Sequence, residues 1–491
     1  MREAALLKEA EEAEPAYGSA PVVPFASEGR DVFVMSDLHI GEGVARDGTY
    51  ASREKFFADD AFLRLLAHLT TLSGPGTLLV LNGDVVDFLR LARVPSSDED
   101  FGRWNELLAR MGVPAQRRDC ISRTERRYGF ETTDAKSVWK LMEVAAGHRD
   151  FFAALAAWLE GGRRLVIVKG NHDLEWFWPA VRNALRLILA DAMGSEDALR
   201  RFVLPGLRFV DDGLLVDGTF YVRHGHQFDP LCRVDGPPTL PGGTELNLPA
   251  GSFFNRYILN KVELAYPYTD NIRPRENVLP MLVREHLPSA LKLLFFHVPA
   301  FVKWVPKGKI LRIYSRAIWV AIAFLAPIVI VALAYRQQVA ALWSALVAPS
   351  GAPTTAGAWL LASVEGLLRT AATLVLSYAS GRLAARLQIE QPDTLDSDAR
   401  EAFQRNPSWE LATFGHTHNP EQRLHGSRWF FNTGTWVPII ETDSAELRLD
   451  KTYTYLHLQF AEGRLTPGGL RRWNDDAQRS EPALIVRRLQ T

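Results

Sequence analysis

Five short apolar runs in this chain each stop abruptly at a polar loop. DVFVM runs into Ser36, TLLVL into Asn82, RLVIV into Lys169, FYV into Arg223 and LATF into Gly415. Continuous apolar runs of this length are the mark of strands buried on both faces. Between the first three lie helical stretches, such as KFFADDAFLRLLAHLT and DFFAALAAWLE. Strand, loop, helix and strand in succession predict an α/β fold, with a largely parallel sheet and helices on both faces. In such sheets ligands gather at the carboxyl ends of the strands, which is where all the polar clusters fall.

The chain has 491 residues, 47% of them hydrophobic and 23% charged, enough for two or three domains with real cores. A formal net charge of −1 gives no reason to expect nucleic acid as a partner. Cys120 and Cys232 are the only cysteines, which excludes a disulfide framework or a thiolate zinc cluster and fits a reducing environment. The first thirty residues lack the basic start and apolar core of a signal peptide, and read as a short helix plus tether.

The loops carry the chemistry. Asp37 and His39 are two apart, so both side chains point to one side of a strand end. Asn82-Gly83-Asp84-Val85-Val86-Asp87 offers Asp84 as a carboxylate able to bridge two ions. Gly170-Asn171-His172-Asp173, His224-Gly225-His226 and Gly415-His416-Thr417-His418 complete the set. Gly83, Gly170 and Gly415 let the backbone come close to ions where a β-carbon would crowd. Six of the twelve histidines fall in these loops. Carboxylate, amide oxygen and imidazole together suit Mn, Fe or Zn, and two such ions can activate water and stabilise in-line displacement at phosphorus. Either motif alone would be weak, and two histidines could simply cap a strand end. Five in this order, each after an apolar run, point to a metal centre.

With D-x-H, G-D-x-x-D, G-N-H-D, a His motif and G-H-x-H in sequence, the chain resembles the calcineurin-like metallophosphoesterase superfamily. The resemblance covers residues 31–230 and 410–440, including the turn Asn432-Thr433-Gly434-Thr435. It implies a two-sheet α/β sandwich with two divalent metal ions, Mn foremost. One would be held by Asp37, His39 and His418, the other by Asn171, His224 and His416, with Asp84 between them. It also implies His172 as the residue that contacts phosphate and protonates the leaving oxygen. Asp173 is expected to orient that ring, and Asp87 and His226 to support the ligands from behind.

From about 245 to 400 the α/β rhythm stops, so the chain divides into a 1–30 extension, 31–244, an insertion at 245–400, 401–475 and a 476–491 tail. A smaller Arg-rich insertion, 94–148, carries Arg103, Arg110, Arg117, Arg118, Arg123, Arg126 and Arg127, which are expected to steer a diphosphate. Residues 317–335 hold nineteen residues without a charge, long enough to cross a bilayer, and 357–379 is a second candidate despite Glu365 and Arg369. A hairpin buried in protein or lying flat on the membrane is the alternative. Lys303, Lys307, Lys309, Arg312 and Arg316 precede the first stretch, and Arg382 and Arg386 follow the second. Both flanks are therefore expected on the cytoplasmic side, with the catalytic part of the chain facing the cytoplasm. The 287–309 segment reads as an interfacial helix. DNIRPREN, with Arg273, Arg275 and Asn277, reads as a solvated loop.

A lipophilic insertion near such a site is most similar to the lipid pyrophosphatases of the superfamily, such as UDP-2,3-diacylglucosamine hydrolases. Those carry Arg where this chain has His172, and have a shorter cap. The expectation is a membrane-anchored hydrolase of a lipid-linked phosphate or diphosphate. Its rivals are a nucleotide or phosphoprotein phosphatase with an incidental anchor, and a non-enzymatic membrane scaffold.

Overall fold

All five apolar runs become strands, but in two sheets rather than one. The computed structural model describes residues 2–13, 20–45, 47–264, 394–441 and 451–485, with a few positions within 272–303 and at 446–447. The chain divides into one unit of Met1–Trp304 with Pro392–Thr491 and a second of Val305–Gln391; the second lies outside the described residues.

The first sheet has seven strands. Its parallel half is β2 (Val32–Met35), β3 (Leu78–Asn82), β4 (Arg164–Val168) and β5 (Leu207–Val210). Antiparallel to β2 lies β14 (Thr454–Ala461), followed by β15 (Arg464–Asn474) and β16 (Arg479–Pro482). The second sheet runs β1-β6-β7-β9-β11-β10. Its strands are β1 (Val22–Phe25), β6 (Gly213–Val216), β7 (Phe220–Arg223), β9 (Leu411–Phe414), β10 (Glu421–His425) and β11 (Arg428–Asn432), of which β7, β9 and β11 are mutually parallel. β8 (Ile272–Arg273), β12 (Ile440–Glu441) and β13 (Glu446–Leu447) form a small third sheet.

The single-sheet expectation is corrected by what covers each face. Phe33, Met35, Leu79, Leu81, Leu165 and Ile167 pack under helices. Their alternates Val32, Val34, Leu78, Val80, Val166 and Val168 meet Leu214, Val222, Leu411 and Phe431 of the second sheet. A run apolar at every position announces burial on both faces without saying which layer covers each.

The longer helices before β5 among the described residues are α1 (Arg2–Ala13), α2 (Asp59–Leu72), α3 (Asp98–Arg110), α4 (Arg123–Tyr128), α5 (Asp134–Gly147), α6 (Arg149–Glu160) and α7 (Pro179–Met193). α2, α5, α6 and α7 cover the outer face of the first sheet through residues such as Phe62, Val138, Leu155 and Val181. On the outer face of the second, Tyr221, Ala412, Phe414 and Phe430 meet Leu395, Ala399 and Phe403 of the helix Asp396–Arg405 and its N-cap. The result is an α/β sandwich of two facing sheets.

Several margins differ from the sequence reading. The N-terminal extension carries β1, paired parallel with β6, and the expected tail carries β16. The Arg-rich stretch is helical, and three of its arginines are taken up by ion pairs that join elements. Arg103 meets Asp100 and Glu143, Arg110 meets Glu3 and Asp191, and Arg118 meets Asp98. Residues Ala250–Val262 pack against the loop after β3 and the end of α4: Asn260 Nδ2 donates to Leu89 O at 2.7 Å, and Arg256 Nη2 to Gly129 O at 2.7 Å. The stretches 317–335 and 357–379 lie outside the described residues, among which no helix is long and apolar enough to cross a membrane.

Candidate metal centre

β2, β3 and β4 of one sheet and β7 and β9 of the other end at the same edge, and the backbone there weaves their loops together. Asp37 N donates to Gly83 O at 3.1 Å, His39 N to Asp84 O at 2.9 Å, and Gly415 N to His224 O at 2.8 Å. Asp37, His39, Asp84, His416 and His418 all sit at positive φ, between 51° and 67°. Left-handed backbone is costly for residues with a β-carbon, and it concentrates where side chains must be aimed at one point.

The turn after β11 locks the two sheets together here. Asn432 Nδ2 donates to Gly415 O at 2.8 Å, Thr435 Oγ1 to Asp37 O at 2.8 Å, and Ser36 Oγ lies 2.6 Å from Thr433 Oγ1. The glycines serve ligand side chains rather than ions directly. A β-carbon on Gly170 would fall on the Asp84 carboxylate, on Gly415 against Asp37 and Ser36, and on Gly83 against the His224 ring.

Four groups of donors gather among the described residues; two of them, Asp37/His39/His418 and Asp84/His224/His416, hold six of the seven expected ligands, Asn171 being in neither, and the other two are His39/Asp84/His172 and Asp229/Cys232/His416. Asp37, His39 and His418 offer atoms within 4.8 Å of one another, and so do Asp84, His224 and His416. His39 Nε2 and His418 Nε2 are 2.9 Å apart, with His418 Nε2 3.3 Å from Asp37 Oδ1. His224 Nε2 lies 3.2 Å from Asp84 Oδ2 and 4.0 Å from Asp37 Oδ1, so the groups adjoin. His224 Nδ1 lies 2.8 Å from Asn82 O, a contact that puts the proton on Nδ1 and leaves Nε2 as the ligating atom. Asn171, at the end of β4, is 3% exposed, and its Oδ1 has no hydrogen-bond partner among the described residues. A buried amide oxygen without a donor is costly unless something else supplies the positive charge. Carboxylates, imidazoles and this oxygen fit a divalent cation, so these buried His/Asp groups could hold a metal ion.

The electrostatics agree. Burial works against ionising Asp37 and Asp84, yet His224 beside both, with His418 and His172, holds them below the usual carboxylate range. Against its own burial, His224 is pushed up to about 10 by Asp84 and Asp37, and His172 to about 9 by Asp87 and Asp84. Burial and the neighbouring His224 and His416 drive His226 well below the ordinary range, so it is neutral. His226 belongs to none of the donor groups and stands behind them, its ring centroid 5.4 Å from that of His224.

His172 and His418 are the most open of these rings, with 12% and 15% of the side chain exposed, so this is the solvent-facing side of the cluster. Asp173 does not orient His172. It is fully buried and accepts from Gly170 N at 2.6 Å and Val85 N at 2.8 Å, clamping two loops, and burial with Asp84 nearby raises its carboxyl to about 7. The orienting carboxylate is Asp87, whose Oδ1 lies 2.9 Å from His172 Nδ1 and whose Oδ2 lies 3.4 Å from His39 Nδ1.

One functional residue escaped the sequence reading. Asp229 Oδ2 lies 3.1 Å from His416 Nε2, and His416 is shared between the group with Asp84 and His224 and one with Asp229 and Cys232. The only signal was a carboxylate five residues after His224 in HGHQFD. Compared with known proteins, the chain matches no family model and no curated relative.

Proposed function

We propose that this chain is a metal-dependent phosphoester hydrolase of the calcineurin-like metallophosphoesterase type, with a dinuclear centre and a lipid-linked phosphate or diphosphate as substrate. The observation that carries the chemistry is the meeting of the two donor groups beside Asp84, from four loops and two sheets, with Asn171 on the fifth loop. Asp37, His39 and His418 would hold one divalent cation, and Asn171, His224 and His416 the other. The mixed oxygen and nitrogen donors favour Mn, with Fe or Zn as alternatives. Such ions supply Lewis-acid polarisation of phosphoryl oxygens and a nucleophile at neutral pH.

The side chains do the rest. Asp84 is held as the shared carboxylate by two loops: its Oδ1 accepts from His172 N at 2.8 Å while Oδ2 faces His224. Because Asp87 occupies the Nδ1 side of His172, the other ring nitrogen is the one that can hold a proton for the leaving oxygen. The preference for an acyl-bearing substrate, and for a membrane-anchored, cytoplasm-facing protein, is carried by the apolar sequence of 317–335 and 357–379.

The test is Mn-supplemented hydrolysis of bis-p-nitrophenyl phosphate and of a lipid pyrophosphate in detergent, with wild type beside His172→Ala and Asp84→Ala. Turnover of both substrates, lost in Asp84→Ala and reduced about 10²–10⁴-fold in His172→Ala, is expected. Turnover of the small ester alone would remove the lipid part of the reading, and turnover of neither by a metal-loaded protein would favour a scaffold.

A further inference from the structure

Behind Asp87 runs a line of alternating buried charges, Arg90, Glu263 and Lys55, to which the reaction assigns no part. Asp87 faces His172 and His39 with its two oxygens. Arg90 Nε donates to Asp87 Oδ2 at 2.8 Å, and Arg90 Nη1 pairs with Glu263 Oε2. Lys55 Nζ lies 3.3 Å from Glu263 Oε1. None of the four is more than 3% exposed. Glu263 comes from far away in the chain, 173 positions beyond Arg90, at the end of the helical segment Ala250–Val262. That segment is fixed to the same loop by Asn260, whose amide donates to Leu89 O and whose carbonyl accepts from Arg53 Nε at 3.1 Å.

One carboxylate serving two imidazoles needs a firm hold. Asp87 on His39 Nδ1 sets that ring's tautomer and leaves Nε2 for the ion, the usual arrangement of a carboxylate behind a metal-ligating histidine. Asp87 is in turn aimed by Arg90, a side chain with several rotatable bonds whose outer end is pinned by Glu263. We propose that Glu263 is a positioning residue for the metal centre, acting through Arg90 and Asp87 on His39 and His172. The inference rests on reading His39 as a metal ligand, and ties the segment leading into residues 265–391 to the quality of that ligand.

The experiment uses the full chain. The variants are Glu263→Gln, which removes the charge but keeps a side-chain oxygen that can accept from Arg90, and Lys55→Met/Glu263→Gln, which also restores the charge balance. Mn(II) affinity is measured by calorimetry on metal-stripped protein, together with kcat and KM for bis-p-nitrophenyl phosphate and the melting temperature. In both variants Mn(II) binding is expected to weaken about tenfold and kcat to fall about tenfold, with KM within about twofold. Wild-type Mn(II) affinity and kcat in both variants, with only the melting temperature lowered, would overturn the proposal and leave a structural ion pair. A wild type that binds no Mn(II) would overturn it too, but by removing the metal reading beneath it, a failure visible before any variant is made.

Discussion

His148 offers a test of the scaffold beneath the site that depends on no assumption about substrate. It lies between α5 and α6, 1% exposed, with Nδ1 3.0 Å from Asp59 and Nε2 3.1 Å from Glu54 Oε2. Burial alone would suppress its charge, but hydrogen bonds and the charges of Asp59 and Glu54 raise it to about 9 from the ordinary 6.5. A raised histidine stabilises the fold fully below its unfolded pKa, and loses that contribution as pH rises through the folded one. The gap corresponds to about 3 kcal/mol near pH 6, about 2 kcal/mol at pH 7.5 and close to zero at pH 9.5. The consequence reaches the site because Glu54 accepts from Gly41 N at 3.2 Å and Gly43 N at 2.6 Å, holding the loop that follows His39. Urea unfolding of wild type and His148→Gln at pH 6, 7.5 and 9.5 measures the effect. The stability difference between the two should shrink by about 3 kcal/mol over that range. A difference that stays constant with pH would refute the reasoning, since His148 would then be bound neutral.

Two further outcomes follow from the geometry. Asp229→Asn, which weakens the partner of His416 Nε2, is expected to lower metal affinity or turnover about 10–100-fold while leaving the melting temperature of the apo-protein nearly unchanged. Metal titration and phosphodiester kinetics read this directly. Gly170→Ala places a methyl on the Asp84 carboxylate and backbone, so it should destabilise by about 1–3 kcal/mol and reduce kcat at least about 10²-fold, as followed by thermal melting and turnover.

What could be read in the sequence was the chemistry at strand ends, because there a single local pattern carries both position and function. DVFVM followed by D-x-H needs no distant information to be a buried strand opening into a ligand loop. The second sheet was harder to see: FYV and LATF look like β2 and β3, and nothing local says that they face those strands instead of joining them. The β14–β15 hairpin was hidden by Pro467, Gly468 and Gly469 inside β15, residues that weaken a strand pattern, and by the register shift between His457 and Leu458. Role assignments failed where sequence neighbours are not spatial partners. Asp173 is adjacent to His172, yet its carboxylate turns back onto Gly170 and Val85, and Asp87 from another loop takes the ring. Asp229 had no spacing rule to reveal it, and the left-handed backbone of Asp37, His39, Asp84, His416 and His418 is visible only once the chain is folded.

The central claim is that Asp84 joins two cation sites in one centre, and metal content tests it most directly. Wild type and Asp84→Ala would be stripped with chelator, reloaded with Mn(II), desalted and assayed by inductively coupled plasma mass spectrometry. Close to two ions per wild-type chain are expected, and well under one in Asp84→Ala with its fold intact by circular dichroism. A wild type that retains no ion, or an Asp84→Ala protein that retains as many as wild type, would contradict it.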